Sequence, residues 1–429
     1  MTGPSRWLAF ALLSAAVACS KTAGPVPPSS AVPGASLPAV SASGPGPAPT
    51  ATARSIPIVF PKIDWNPLPL NWERGKLAQL PSYDPASIDP FQVDLRGYDL
   101  SGLDLRSSLA VLRHANFDDR TIWPPAEKLP EGFDREKIMA LGRTPGLGLA
   151  RLHAEGILGT KVGIAIIDQR LLVHHQEYAG RLRLYEETGE VNGMAEMHGA
   201  AVASIAVGKT VGVAPEADLY FIANNLCNRG DFACLAISVR RMLEINRQLP
   251  NDRKIRVLSM SIGWGPSQPG YAEIIAAVNE AKAAGIFVIC STESEIYPFE
   301  FQGLGRNPDA DPDAFESYGP GSWWADQFFS GKYSVDLQTL LLVPMDARTT
   351  ASPTGTDDYV FYSEGGRSWS IPYLAGMYAL AAQVKPDITP EVFWPTALQT
   401  GRTIQIPHGD KQYSFGTILD PVALIDALK

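Results

Sequence analysis

Beyond Gly159 the chain alternates short unbroken apolar runs with longer amphipathic ones, and this alternation narrows the possible folds more than any other feature. Residues 162–167, 219–223, 257–261 and 286–290 are apolar, bounded by polar or Gly-containing stretches, and the right length for strands buried on both faces. Between them, residues 198–207, 233–249 and 271–284 carry helical spacing, the last closed by Gly285. Strands alternating with helices imply an α/β fold, a parallel sheet with helices on both faces. Right-handed crossovers then gather the loops at the strands' carboxyl ends on one edge, where ligands bind in such sheets.

Three polar positions fall on that edge. Asp168 ends the run Val162-Gly163-Ile164-Ala165-Ile166-Ile167, and His198 opens a small-residue helix that leads to Gly212-Val213-Ala214-Pro215. Downstream, Gly365-Gly366-Arg367-Ser368-Trp369-Ser370 precedes an Ala-rich helical run. A hydroxyl there sits beside unpaired N–H groups and the positive end of the helix dipole, which suits a nucleophile that generates an oxyanion. Pro372 is expected in the first turn, where its missing N–H costs nothing. Asp, then His, then Ser is one of the chain orders in which a nucleophilic triad occurs.

These segments resemble those of the subtilisin-like serine peptidases, the subtilases, over roughly residues 135–429. The family's motifs are a strand ending Asp-Thr/Ser-Gly, His-Gly-Thr-His-Val-Ala-Gly followed by Gly-Val-Ala-Pro, and Gly-Thr-Ser-Met-Ala-Ala-Pro. Alignment on Pro372 places the family nucleophile at Ser368. Asp168 and His198 are 30 residues apart, and His198 and Ser368 are 170 apart, spacings similar to the family's. The resemblance implies a three-layer subtilisin-like fold and a cofactor-independent endopeptidase. Ser368 would attack the peptide carbonyl, His198 would act as base and acid, and Asp168 would fix the imidazole. It also implies that Ser261, Ile262 and Gly263 pair with an extended peptide by β-augmentation, with Trp264 either narrowing the side-chain pocket or packing structurally.

The chain departs from the family twice. Asp168-Gln169-Arg170 replaces Asp-Thr-Gly, and the run Val288-Ile289-Cys290-Ser291-Thr292-Glu293 puts Glu293 where the family has its oxyanion-binding Asn. Losing one such donor costs on the order of 3–4 kcal/mol, or 10²–10³ in rate. Either Glu293 is protonated and donates, with an acid optimum, or Thr292 or Ser294 donates instead. Otherwise the protein is an impaired subtilase fold that binds or scaffolds peptides.

Residues 1–19 carry Arg6, an apolar run from Trp7 to Val17, and Ala18-Cys19. The run is too short to span a bilayer and reads as an export signal. Its ending resembles a bacterial lipobox, which implies acylation of Cys19 and attachment to a membrane, with a lean to the outer one. Residues 20–55 are Pro-, Ala-, Ser- and Gly-rich and suit a tether. In the extension at 56–125, Leu95, Leu100 and Leu105 recur every five residues, a rhythm that resembles pentapeptide repeats and implies a small irregular or short β-helical cap on the peptidase domain at 126–429.

A net charge of −9 argues against nucleic acid as a partner. The expected partners are an extended peptide and, through the Cys19 acyl group alone, a bilayer; a monomer is expected. Cys227 and Cys234 bracket a short polar loop and are disulfide candidates, and Cys290 reads as an apolar filler. Asp309, Asp311 and Asp313 fit no defined calcium site, so a solvated acidic loop and no metal are expected.

Overall fold

The computed structural model describes residues 57–85, 87, 91–189, 193–333 and 339–429. The leader, the tether and Cys19 lie outside the described residues.

Six strands, β1 (Lys62–Ile63), β2 (Gly163–Asp168), β3 (Leu182–Thr188), β4 (Asp218–Asn224), β5 (Ile255–Met260) and β6 (Phe287–Cys290), form one parallel sheet in the order β1-β3-β4-β2-β5-β6. Side chains alternate across it. Ile164 and Ile166 enter one core, whereas Ala165 and Ile167 enter the other. Helices α1 (Met197–Val207) and α4 (Arg367–Val384) cover the first face. Helices α2 (Phe232–Gln248) and α3 (Tyr271–Ala283) cover the second. Both faces are apolar because both are covered, which is why these strands read as continuous hydrophobic runs. The architecture is the expected three-layer α/β fold.

After β4 the chain crosses to the other side of β2, so the carboxyl end of β2 lies at a topological switch point. Asp168 is the last residue of that strand.

The sequence pattern missed β1 and β3. Leu-Arg-Leu-Tyr-Glu-Glu-Thr in β3 alternates buried and half-buried positions because only the two-residue β1 lies beyond it. It also missed a mixed five-stranded sheet built from Glu300–Arg306, Tyr318–Pro320, Leu340–Pro344, Arg402–His408 and Lys411–Ile418. The aromatic, Gly-rich stretch over residues 295–332 thus supplies two of these strands and the helix Ala325–Phe329.

In the N-terminal segment Leu95, Leu100 and Leu105 are buried. Each carbonyl accepts from the N–H three residues on, and each N–H donates onward, to Asn116, Ile122 and Lys128 respectively. The five-residue rhythm is thus a stack of turns laid against a second pass of chain. Val93–Asp94 and Ala115–Asp118 also join a sheet with Tyr359–Tyr362 and Arg348–Ala351, in which Ala115–Asp118 holds an interior position.

Candidate active site

Asp168 leaves the switch point of the sheet with its Oδ1 accepting from the Gln169 backbone N–H at 2.7 Å. The same oxygen meets His198 Nδ1 at 2.7 Å. An ionised carboxylate only accepts, so Nδ1 carries the proton and Nε2 is left as the basic nitrogen. Gly199 permits this approach. A Cβ there would sit 2.2 Å from the Gln169 carbonyl oxygen, so any side chain would push the start of α1 off the Asp168 loop. The His198 side chain is 16% exposed. Burial pushes its pKa down, but the Asp168 charge and hydrogen bond, with Glu196 adding to them, outweigh that and leave it raised.

The Gln169-Arg170 departure has its own wiring. Arg170 N–H donates to Glu196 Oε2 at 3.1 Å, and its guanidinium lies 3.4 Å from both Glu187 and Glu196. These contacts tie the loop after Asp168 to the residue preceding α1. Side chain and ion pairs here take the place of the compact Thr-Gly turn.

Ser368 is the second residue of α4, behind Gly365 and Gly366. Gly365 must be Gly because a Cβ would meet the Met345 carbonyl oxygen at 2.4 Å. Pro372 is not in the first turn but is the sixth residue of the helix. Its missing N–H is the one that would bond the Ser368 carbonyl in the i→i−4 ladder. That carbonyl instead accepts from Ser261 Oγ at 2.9 Å, and Ser368 Oγ donates to the Ser261 carbonyl at 3.4 Å. The proline thus frees an acceptor that pins the candidate nucleophile to the end of β5. Helices α1 and α4 pack closely at Gly376, where a Cβ would lie 3.3 Å from the Ala206 carbonyl oxygen. His198 meets the residue after Ser368, Trp369, at 5.3 Å between ring centroids. The Ser368 hydroxyl itself points to the Ser261 carbonyl.

Ser261, Ile262 and Gly263 run beside Ser368, with the Ile262 carbonyl already accepting from Ser291 N–H at 3.0 Å. The remaining oxyanion candidates diverge. Ser294 is exposed. Thr292 Oγ1 accepts from Trp264 N–H at 3.4 Å, and its Cγ2 lies 2.9 Å from where a Gly263 Cβ would stand. Glu293 is buried, with Oε2 accepting from Cys290 N–H at 2.9 Å and Oε1 unpartnered. Burial pushes its carboxyl up to about 8, against the pull of that hydrogen bond and of Arg367 and Lys282. At neutral pH Glu293 is therefore mostly uncharged and turned back into its own turn. Trp264 is buried, edge-on to Phe232 in the core beneath α2 and α3.

Elsewhere, Cys227 and Cys234 are joined by a disulfide and Cys290 is a buried free thiol. Asp309 lies 3.5 Å from Arg113, Asp313 caps Gly148 N–H at 2.9 Å, and Asp311 accepts from Asp313 N–H. Among the described residues no group of three acidic, His or Cys side chains is placed to hold a metal ion, and no helix is long and apolar enough to cross a membrane.

Asp168 is thus paired to His198 at the switch point of a parallel α/β sheet, and Ser368 is the second residue of the helix whose third, Trp369, meets His198. Residues 159–295 match the subtilase family, a span that includes Asp168, His198 and Ser261–Gly263 but not Ser368. That stretch is similar to the subtilase family, and the match supports serine-peptidase chemistry. The chain is 26% identical over 265 residues to the subtilisin-like protease PopC of Myxococcus xanthus (strain DK1622), covering 56% of each protein. The chain thus spans about half the length of that relative. Among solved structures it is similar to the prenylagaramide maturation protease PagA, with 16% identity and a TM-score of 0.45 over 66% of this chain and 98% of that one. It is similar also to the PatG macrocyclase in complex with peptide, with 14% identity and a TM-score of 0.45 over 67% and 96%.

Proposed function

We propose that the protein is a serine endopeptidase of the cell envelope, with Ser368 as nucleophile, His198 as general base and acid, and Asp168 as the group that orients and stabilises the imidazolium. The observation that carries this reading is the 2.7 Å Asp168–His198 hydrogen bond on a helix packed against the one whose second residue is Ser368. In the reaction Ser368 Oγ turns from the Ser261 carbonyl to His198 Nε2, gives up its proton and attacks the scissile carbonyl. His198 returns the proton to the leaving amine, and water repeats the cycle on the acyl-enzyme. An extended peptide pairs along Ser261–Gly263. Glu293, turned inward and with its carboxyl pushed up to about 8, places little charge against the developing oxyanion at and below neutral pH, so the helix N-terminus behind Ser368 supplies the electrostatic support.

The envelope location rests on the lipobox-like Ala16-Val17-Ala18-Cys19 and the tether that follows it. Incorporation of a fatty-acid analogue by the full chain, lost in Cys19→Ala, tests the anchor. Hydrolysis of a fluorogenic peptide library by the protein, with Ser368→Ala beside it, tests the chemistry. Cleavage that survives Ser368→Ala would overturn the assignment of the nucleophile.

A further inference from the structure

Trp369 stands between the candidate triad and the N-terminal segment. Its indole is 5% exposed, and its Nε1 has no hydrogen-bond partner, so packing alone sets its orientation. One ring edge meets His198 at 5.3 Å between centroids and 60°. Tyr362 also meets the indole, at 5.1 Å between centroids and 85°. Tyr362 is held in turn from the N-terminal segment. Its hydroxyl accepts from Arg96 Nη1 at 3.2 Å, and the Arg96 guanidinium lies 5.3 Å from its ring centroid. Arg96 is itself buried and fixed by Asp94, through Nε at 2.6 Å and Nη2 at 3.0 Å. The strand that carries Tyr362 also pairs with Ala115–Asp118 of the same segment.

We infer that Trp369 is a positioning residue for His198, held in place through Tyr362 by Arg96, so that the N-terminal segment is a permanent working part of the enzyme and not a removable one. The inference rests on the peptidase reading above. A segment that is shed after folding shares an outer surface with its domain. This one supplies an interior strand and the buried side chains of Val93, Leu95, Leu100 and Phe117 to a joint core with Tyr359 and Phe361. Removing it would open that core and release Tyr362. The indole would then lose the wall that keeps it against the imidazole, and His198 would sample rotamers that break its bond to Asp168. The charges acting on the ring are the Asp168 and Glu196 carboxylates. They stay in place when Trp369 changes, so a shift in ring behaviour reports the indole.

The test uses the full chain with Trp369→Leu, Trp369→Phe and Tyr362→Phe. One readout needs no activity: the low-field proton resonance of His198 Nδ1–H and the titration of the ring by NMR. The other is the rate at which a fluorophosphonate modifies Ser368 across pH. Trp369→Leu should slow modification about 10–100-fold, weaken the low-field Nδ1–H resonance and move the ring's titration downward towards its ordinary value, because the Asp168 bond that holds it raised is broken part of the time. Trp369→Phe should restore most of all three, and Tyr362→Phe, which removes only the acceptor for Arg96, should shift each in the same direction by less. Intact-mass analysis of active protein should find residues 57–125 still attached. Folded Trp369→Leu protein whose His198 resonance and titration match the wild type would overturn the inference, as would full activity after loss of residues 57–125. Wild-type protein that never reacts with the phosphonate would sink the peptidase reading instead, and the NMR readout would still decide whether Trp369 positions His198.

Discussion

Replacing Glu293 with Gln keeps the shape of a buried side chain and removes its ability to ionise. Burial lifts the Glu293 carboxyl from 4.5 to about 8. The folded state thus favours the protonated form, so this contribution is fully present below the unfolded value and is lost as pH rises towards and through 8. The full gap corresponds to roughly 5 kcal/mol, of which about 3.5 kcal/mol disappears between pH 5 and pH 8. In Glu293→Gln the amide oxygen still accepts from Cys290 N–H, while its NH2 takes the place of the unpartnered Oε1. Leaving that donor buried costs about 1–3 kcal/mol, but by the same amount at every pH. Asp346 and Glu364 are also pushed up, to about 6 and about 7, yet they are common to both proteins and cancel in the comparison. Urea unfolding of wild type and variant across this range reads the difference directly. The wild type should lose its lead over the variant by about 3 kcal/mol as pH rises. A gap that stays constant within about 1 kcal/mol would refute the claim that Glu293 is buried and neutral.

Three further outcomes follow from the geometry. Asp168→Asn preserves packing but lets the imidazole hold the wrong tautomer, so peptide hydrolysis should fall on the order of 10³–10⁴-fold with circular dichroism unchanged. Paired Ser replacements at Cys227 and Cys234 open a short loop with a separation of seven residues and should lower stability by about 2 kcal/mol in denaturant melts. Leu100→Ala empties a fully buried site in the N-terminal core and should cost about 2–5 kcal/mol, with residues 57–125 and the remainder unfolding in a single transition.

The central strands were legible because each is apolar on both faces and ends at a polar residue. Gly163–Asp168 and Phe287–Cys290 fall within a residue of where periodicity puts them. Leu182–Thr188 was not legible, since an outer strand with Arg183, Glu186 and Glu187 looks like an exposed loop. Spacing along the chain singles out Asp168 and His198, and Gly199 explains how they meet. Side-chain direction is a different matter. The sequence aligns Glu293 with an oxyanion donor, but only the fold turns its carboxyl inward to Cys290. Likewise the Arg96–Tyr362 bond joins residues 266 positions apart, and no local pattern encodes it. The role of Pro372 was half visible. Its rigidity is in the sequence, whereas the carbonyl it frees matters only because Ser261 arrives from another strand to bind it.

The most direct test of the central claim is to treat the full chain with a fluorophosphonate from about pH 5 to 9 and locate the modified residue by peptide mass spectrometry. A single adduct on Ser368, forming at a rate that rises as His198 loses its proton and absent from His198→Ala, is the predicted result. Folded protein that gains no adduct at any pH, or gains it on another serine, would contradict the account.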